Sequence, residues 1–240
     1  MGASAKARWT IRRASDIVTD KNVRRPWLLD LFRPANLFQP YIETSADRYP
    51  ELFSFLQREI TTGAGVRLLS FGCSVGDEVF SLRAYFPEAT IVGIDISRGN
   101  IWECRRRRRQ WGDARMDFVR GGTADRQPES SYDAVLCMAV LRHGDLGASP
   151  SDSCAHRITF EAFDRTVRAL ARCLKVGGYL VIEHSNFRFC DSSCADQFQV
   201  VATRTRPAEG PITPLFDRDN MRLDDQEYGE VIFRKLVSYA

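Results

Sequence analysis

The sequence lacks the features that would place the protein in a membrane or in an oxidising compartment. It contains no run of about eighteen consecutive apolar residues, the length that a membrane-spanning helix needs. The first residues, MGASAKARWTIRR, lack the apolar core of a secretory signal. The seven cysteines are an odd number without a C-x-x-C pair, and several, such as Cys137 and Cys173, lie in apolar segments. We therefore expect a cytoplasmic protein that does not associate with membranes.

Two kinds of binding site are also poorly supported. Cys190 and Cys194 lie four positions apart, but no second pair of cysteines or histidines stands at ligand spacing, so we expect no metal site. On a helix, the five arginines 105–109 would point in all directions and leave several guanidinium groups in solvent. Because phosphate-binding surfaces usually combine dispersed basic residues with stacking aromatics, we expect no nucleic-acid partner.

What the sequence does contain is an alternation of short apolar runs and amphipathic segments. Its 240 residues, 44% of them apolar, suit one α/β domain with a sizeable core. We predict an arm over residues 1–46 that packs on a domain over residues 47–240. Asp47 is the predicted N-cap of the first helix, and Gly177 and Gly178 are predicted to end the last helix. The alternation favours a parallel sheet with helices on both faces. The predicted strands are VRLLSF, TIVGIDI, MDFVR, YDAVLCMAV, GYLVIEH, FQVVAT and GEVIFRKL, and the predicted helices span 47–60, 77–86, 98–111 and 159–174.

The segment LLSFGCSVGDEV is the most informative part of the chain. An apolar strand, a glycine-rich turn and a helix follow one another there, which presents backbone N–H groups to a ligand. Gly72 and Gly76 allow a sharp turn and a close approach of the backbone. The next predicted strand ends in Asp95, nineteen residues after Gly76, where a carboxylate can accept both hydroxyls of a ribose. The pattern predicts a site for an adenosine-containing cofactor.

The same turn is compatible with two other kinds of site. A dinucleotide site expects G-x-G-x-x-G, but Ser74 replaces the second glycine, which counts against a pyrophosphate and matters less for S-adenosylmethionine. G-C-S-V-G also matches the nucleophile elbow of α/β-hydrolases, with Ser74 as nucleophile and His143 or His184 as base. Only a short helix and the arm precede Ser74, and no HGGG-like segment lies upstream. A serine hydrolase therefore stays the alternative function.

Four segments in order resemble those of class I S-adenosylmethionine-dependent methyltransferases. The glycine-rich turn is similar to their first motif, and especially to the G-C-S-x-G-[DE]-E variant of chemotaxis-receptor (CheR-type) methyltransferases. TIVGIDIS resembles the second motif, SYDAVLCMAVLRH the fourth-strand motif, and LARCLKVGGYLVI the helix–L-K-P-G-G–strand segment. The resemblance covers about residues 47–236. It implies a three-layer, Rossmann-like, seven-stranded sheet that is mostly parallel, with an antiparallel last strand for which GEVIFRKL is the candidate.

The chain also departs from this family. Gly122, Thr123 and Ala124 stand where many members carry an aspartate that contacts adenine, and the R-N-V-x-x-Y pattern of CheR-type enzymes is missing. The first 46 residues cannot supply their helical N-terminal domain, so we do not expect methylation of receptor glutamates. The cofactor-binding residues that the motifs predict are Gly72, Cys73, Ser74, Gly76, Glu78, Asp95, Ile96, Thr123, Ala124 and Met138.

Catalytic candidates follow the fourth and fifth predicted strands. His143 and His184 lie at the carboxyl ends of these strands, where open α/β sheets bind ligands. A base is needed only if the acceptor is a poorly ionised hydroxyl or a protonated amine. The resemblance therefore implies a methyltransferase, and we expect it to act on an O or N atom of a small molecule, with a non-catalytic S-adenosylmethionine-binding partner protein as a further alternative. Four aromatic residues of the arm are candidates for the roof of the acceptor pocket: Trp27, Phe32, Phe38 and Tyr41.

Overall fold

The computed structural model describes residues 36–41, 44–148, 151–204, 213–224 and 228–237. The helices and strands in these residues alternate along most of the chain, as the sequence predicts. In chain order they are α1 (Pro50–Glu59), β1 (Arg67–Phe71), α2 (Asp77–Tyr85), β2 (Thr90–Asp95), α3 (Arg98–Trp111), β3 (Met116–Arg120), β4 (Tyr132–Met138), α4 (Asp145–Ala148), α5 (Phe160–Cys173), β5 (Leu174–Glu183), β6 (Phe198–Thr203) and β7 (Glu230–Lys235). Two single turns of 3-10 helix, Phe189–Asp191 and Ala195–Gln197, precede β6.

The seven strands form one sheet in the order β3-β2-β1-β4-β5-β7-β6. Strands β1 to β5 pair in parallel, whereas β7 is antiparallel to both β5 and β6. The predicted sheet, mostly parallel with GEVIFRKL as its antiparallel last strand, is confirmed. The order reverses at β1, where β2 lies on one side and β4 on the other, and open α/β sheets bind ligands at such a point.

Helices cover both faces of the sheet and give the molecule two apolar cores. On one face, α5 contributes the predicted stripe of Phe163, Val167 and Leu170, all fully buried. On the other face lie α1, α2 and α3, with side chains such as Leu56 and Val79 packed on the strands. Each such side chain contributes about 1.5–3 kcal/mol of transfer free energy. The three-layer architecture is therefore confirmed.

Two predicted helix ends are wrong. Helix α1 begins at Pro50 with Tyr49 as its N-cap residue, while the Asp47 N–H donates to Ser81 Oγ over 2.8 Å. Proline suits the first helical position because it has no N–H to satisfy. Gly177 and Gly178 do not end α5, because β5 already begins at Leu174 and includes them. A Cβ on Gly178 would lie 3.0 Å from the Asp133 carbonyl oxygen, so this glycine permits close strand pairing.

The arginine run on α3 is less solvated than the sequence suggests. The Arg105 guanidinium donates two hydrogen bonds to the Phe118 carbonyl, and Arg108 donates to the Met116 carbonyl at 2.9 Å. Arg107 Nη1 donates to the Val75 carbonyl and to Asp77 Oδ1, each at 2.7 Å. These arginines fasten α3 to β3 and to the glycine-rich turn.

Across the described residues, none of the helices combines the length and the apolar character that crossing a membrane requires.

Candidate functional site

A cleft opens at the carboxyl ends of β1, β2 and β4, at the point where the strand order reverses. The space inside it is about 810 Å³, including the part open to solvent. The strand ends and their loops form its floor, and the described arm residues 36–41 form its roof. Lining residues from the sheet side are Phe71, Gly72, Ser74, Asp95, Ile96, Asn100, Gly121, Gly122, Met138, Ala139, Val140 and Arg142.

Asp95 supplies a buried carboxylate to this cleft. It is the last residue of β2 and is buried. Its Oδ1 accepts hydrogen bonds from the Ser97 N–H (2.8 Å) and Asn100 Nδ2 (3.2 Å), and its Oδ2 accepts one from the Ser74 N–H (2.9 Å). Burial raises the pKa of Asp95 to about 6, and these donors oppose the rise. The carboxylate is therefore mostly charged at neutral pH, and its remaining lone pairs can accept ribose hydroxyls.

The glycine-rich turn forms the floor beside Asp95. The N–H groups of Gly72 and Cys73 both donate to the Ile94 carbonyl, which ties the turn to β2. Gly72 has a φ of +75°, and a Cβ there would lie 2.2 Å from Val140 Cγ2. Gly76, also at positive φ, does not line the cleft; a Cβ there would meet the Phe80 ring at 2.9 Å. The first glycine thus keeps the cleft open, and the second permits packing of α2.

The polar atoms of the cleft fit an adenosine-containing cofactor. Ser74 Oγ and Asn100 Oδ1 are buried and have no hydrogen-bond partner among the described residues. A buried polar atom without a partner costs about 1–3 kcal/mol, so a ligand that supplies hydroxyl or amino groups would recover this free energy. Ile96 and Gly122 pack against each other on the same side of the cleft, where a flat base would find an apolar contact.

A second cavity of about 410 Å³ adjoins the first. The two cavities share Gly72, Ser74 and Met138, the last residue of β4. Cys73 and Glu78 also line the second cavity, as do Arg48 and Tyr49 at the start of α1. Burial raises the pKa of Glu78 to about 7, and the neighbouring Ser70 hydroxyl opposes the rise. The second cavity therefore holds an acidic and a basic group in a small space.

The predicted adenine contacts Thr123 and Ala124 do not line either cavity. Thr123 Oγ1 accepts a hydrogen bond from the Asp125 N–H at 3.2 Å, and Ala124 is fully buried in the core. The preceding Gly121 and Gly122 line the cleft instead. A role for Thr123 and Ala124 in cofactor binding stays a prediction.

The structure places the two candidate histidines in different surroundings. His143 is buried and lines neither cavity. Its backbone N–H donates to Asn186 Oδ1 at 2.7 Å, and its ring Nδ1 accepts from the Asp145 backbone N–H at 3.3 Å. His184 follows β5 with a φ of 55°, and its Nε2 lies 3.5 Å from Glu183 Oε1. His143 thus joins two loops, whereas His184 lies beside a buried carboxylate at the carboxyl edge of the sheet.

The geometry around Ser74 does not favour a serine hydrolase. Its φ of 51° would suit a nucleophile elbow. Its Oγ, however, has no hydrogen-bond partner in the described part of the chain, whereas an activated serine needs a base within reach. Ser74 instead donates its backbone N–H to Asp95 Oδ2 at 2.9 Å, and the residue lines the cleft.

The arm contributes to the site in the part that the structure describes. Phe38 is buried against the core, and the Tyr41 hydroxyl donates to Asp145 Oδ1 at 2.6 Å. Both line the cleft. The other two aromatic candidates, Trp27 and Phe32, lie outside the described residues, and the boundary of the arm at residue 46 stays a prediction.

Sequence reasoning missed the residues at the start of α1 and after β5. Tyr49 precedes a proline and has no motif of its own, Glu183 stands inside an apolar strand, and Arg204 follows β6. The only sequence signal was the position of Glu183 at the carboxyl end of a predicted strand. Their proximity depends on the order of the strands.

The strand order and the position of the cleft define a Rossmann-like α/β domain with a ligand site at the point where the strand order reverses. Residues 69–180 match the family model of a methyltransferase domain. This match covers 112 of the 240 residues, a little under half of the chain. The likeness of its first motif to CheR-type enzymes stays a resemblance of sequence.

Two curated proteins and a solved structure are similar to parts of this chain. The fatty-acid O-methyltransferase of Mycolicibacterium smegmatis is 29% identical over 126 residues, which are 52% of this chain and 39% of that protein. The trans-aconitate 2-methyltransferase of Methylobacterium nodulans is 30% identical over 102 residues, 42% of this chain and 37% of that protein. The matches thus span less than two fifths of each relative. A phosphoethanolamine N-methyltransferase 2 structure from Haemonchus contortus superposes with a TM-score of 0.44 at 18% identity, covering 70% of this chain and 34% of that one.

Proposed function

We propose that this protein is an S-adenosylmethionine-dependent methyltransferase whose acceptor is an oxygen atom of a small carboxylic acid. The observation that carries the proposal is the buried Asp95 carboxylate, held at the end of β2 beside the glycine-rich turn, where it lines the cleft. The acceptor class is supported by the names of the two relatives, since fatty acids and trans-aconitate are both carboxylic acids.

We expect the two cavities to bind different parts of the cofactor. Asp95 would accept the ribose hydroxyls, and Ser74 and Asn100 would bond to neighbouring polar groups. Ile96 and Gly122 would flank the base. Glu78 faces the second cavity, where its carboxylate would attract the ammonium group of the amino-acid end. When bound, the cofactor supplies an electrophilic methyl group on a positively charged sulfur.

The protein's own contribution is mainly to position the acceptor. Orientation of two reactants can supply several kcal/mol of rate acceleration, about 7–11 in favourable cases. A carboxylic acid is ionised at neutral pH, so transfer to its oxygen needs no general base. We infer that His184, next to Glu183, helps to orient the acceptor, and that the buried His143 holds the loop after β4.

The cofactor part of the proposal is tested by calorimetric titration with S-adenosylmethionine and S-adenosylhomocysteine. We expect micromolar binding to the wild-type protein and a loss of about a hundredfold or more in Asp95→Ala, because the ribose loses its acceptor. Asp196→Ala, at an exposed carboxylate away from the cleft, serves as the control. A folded wild-type protein that binds neither compound would contradict the proposal and lead to assays of Ser74→Ala on ester substrates.

The acceptor part is tested by transfer of a labelled methyl group to hexadecanoate, trans-aconitate and matched alcohols and amines. A methyl ester releases labelled methanol in alkali, whereas a methyl ether or a methylamine does not. We expect alkali-labile product from at least one carboxylic acid. Product that is stable in alkali would contradict the carboxylic-acid acceptor, and cofactor binding without any product would favour the non-catalytic partner protein.

Two further expectations remain predictions with structural support. All seven cysteines are free thiols and six of them are buried, which favours the reducing cytoplasm. The hydrogen bonds of Arg105, Arg107 and Arg108 to backbone carbonyls occupy much of the basic run, which supports the expectation that nucleic acid is not a partner.

A further inference from the structure

A group of ionisable side chains lies at the carboxyl end of β5, beyond the predicted cofactor contacts. Glu183 is only 3% exposed; its Oε1 lies 3.5 Å from His184 Nε2, and its Oε2 lies 3.9 Å from Arg204 Nη1. The ring of Tyr49 lies 6.3 Å from the ring of His184, measured between centroids. We call these four residues, Tyr49, Glu183, His184 and Arg204, the β5-end cluster.

Tyr49 is the member of this cluster that faces the second cavity. It lines that cavity and is only 5% exposed. Its hydroxyl is buried and has no hydrogen-bond partner among the described residues. Burial raises the pKa of Tyr49 to about 12, so the hydroxyl keeps its proton throughout the physiological range and can donate. A buried hydroxyl of this kind is ready to donate a hydrogen bond to a ligand.

The position along the sheet separates this hydroxyl from the ribose site. Asp95 ends β2, and β1 and β4 lie between β2 and β5. Neighbouring strands are about 4.8 Å apart, so the ends of β2 and β5 are about 14 Å apart. In the cofactor, only three covalent bonds join the ribose ring to the transferred methyl carbon. With the ribose on Asp95, the methyl group would lie over β1 and β4, and the β5-end cluster would lie on its far side.

Charged groups of both signs surround Tyr49. The Arg48 guanidinium, which lines the same cavity, lies 5.4 Å from the centre of the Tyr49 ring. The facing carboxylates are Glu183, which has Arg204 and His184 beside it, and Glu78. Arg48 thus places a positive charge beside the Tyr49 ring on the cavity side.

We propose that Tyr49 binds the acceptor: its hydroxyl donates a hydrogen bond to one oxygen of the acceptor carboxylate, leaving the other oxygen to face the methyl group, and Arg48 balances the charge. This inference rests on the proposed function. The same chemistry would also suit the carboxylate of the cofactor's amino-acid end, so the test must separate the two sources.

Tyr49→Phe removes the hydroxyl and keeps the ring. Tyr85→Phe is the matched control, because the Tyr85 hydroxyl donates to Asp47 on the exposed side of α2. Each variant is titrated with S-adenosylhomocysteine and assayed for methyl transfer to hexadecanoate and trans-aconitate, and its melting temperature is recorded. For Tyr49→Phe we expect a tenfold to hundredfold lower kcat/KM, carried mainly by a higher KM, with the Kd of S-adenosylhomocysteine within twofold of wild type. Tyr85→Phe should keep the wild-type kinetic constants.

Two results in the Tyr49→Phe protein would overturn the inference alone. An unchanged kcat/KM would show that the hydroxyl does not contact the acceptor. A tenfold weaker affinity for S-adenosylhomocysteine would assign Tyr49 to the cofactor. Failure of the proposed function would instead be visible in the wild-type protein, as absent cofactor binding or absent transfer to both carboxylic acids, and would overturn the inference with it.

Discussion

The two halves of the site differ in how the chain builds them. Most of the proposed adenosine half lies within residues 72–100, which span the glycine-rich turn, α2, β2 and the start of α3, and Gly122 adds to it from the loop after β3. The proposed acceptor half joins the start of α1 to the ends of β5 and β6, which lie more than a hundred residues further along the chain. The first half depends on local backbone geometry, and the second depends on the order of the strands.

A substitution at Gly72 is expected to have the largest effect, and it acts on the adenosine half. Alanine there adds a Cβ only 2.2 Å from Val140 Cγ2, in a backbone conformation with a φ of +75°. We expect Gly72→Ala to lower the affinity for S-adenosylhomocysteine by about a hundredfold or more and to destabilise the fold by about 2–4 kcal/mol. Calorimetry and urea unfolding measure the two effects.

Gly112→Ala is the matched control for Gly72→Ala. Gly112 ends α3 with a nearly identical φ of +74°, but a Cβ there meets nothing within 4 Å. It should cost only the backbone strain of about 1–2 kcal/mol and leave cofactor affinity unchanged. Equal losses of affinity in the two variants would show that crowding at the cleft is not the cause.

The pH dependence of cofactor affinity tests the role of Asp95 in the adenosine half. Ribose hydroxyls donate to the ionised carboxylate, and the pKa of Asp95 is about 6. Affinity should therefore be fullest above pH 7 and fall as the pH drops through 6, with a loss of about tenfold by pH 5. Calorimetric titration with S-adenosylhomocysteine between pH 5 and pH 8 measures this dependence. Asp95→Asn should remove that part of the dependence; a wild-type profile as flat as that of Asp95→Asn would contradict the assignment.

The smallest predicted effect is a change in the free energy of unfolding, and it concerns Glu78, which lies at the border between the two halves. Its pKa is about 7 in the folded protein against a usual 4.5, so folding binds extra protons between these values. Stability is therefore lost as the pH rises from about 4.5 to 7 and stays lost above it. Without cofactor, Glu78→Gln should be more stable than wild type by about 1–3 kcal/mol at pH 8, and by less at pH 5.

Urea unfolding at the two pH values measures this difference, with the exposed Glu88→Gln as control. A stability gain for Glu78→Gln that does not change with pH would contradict the assigned cause. The same variant should bind S-adenosylmethionine more weakly than wild type, since the ammonium group loses its carboxylate.

The adenosine half and the sheet could be predicted from the sequence because their signals are local. Gly72 and Asp95 follow strands that the apolar runs mark, and the chemistry of a ribose site requires an acid at that position. The antiparallel last strand, GEVIFRKL, could be assigned through the family resemblance. Local patterns failed where the role of a residue depends on a neighbouring element. Gly178 permits close pairing of β5 with β4, and Arg107 donates a hydrogen bond to the glycine-rich turn.

The acceptor half could not be predicted, for a physical reason. Tyr49, Glu183 and Arg204 come together only when β5 takes its place in the sheet and α1 packs beside it. None of the three has a motif, and Glu183 resembles any polar residue at the end of a buried strand. His184 was found only because its strand end is a general site for ligands.

A crystal structure of the protein with S-adenosylhomocysteine would test the division of the site most directly. We predict that both ribose hydroxyls lie within about 3 Å of the Asp95 carboxylate and that the Tyr49 hydroxyl makes no contact with the ligand. A ligand whose ribose lies away from Asp95, or whose carboxylate accepts from Tyr49, would contradict the account.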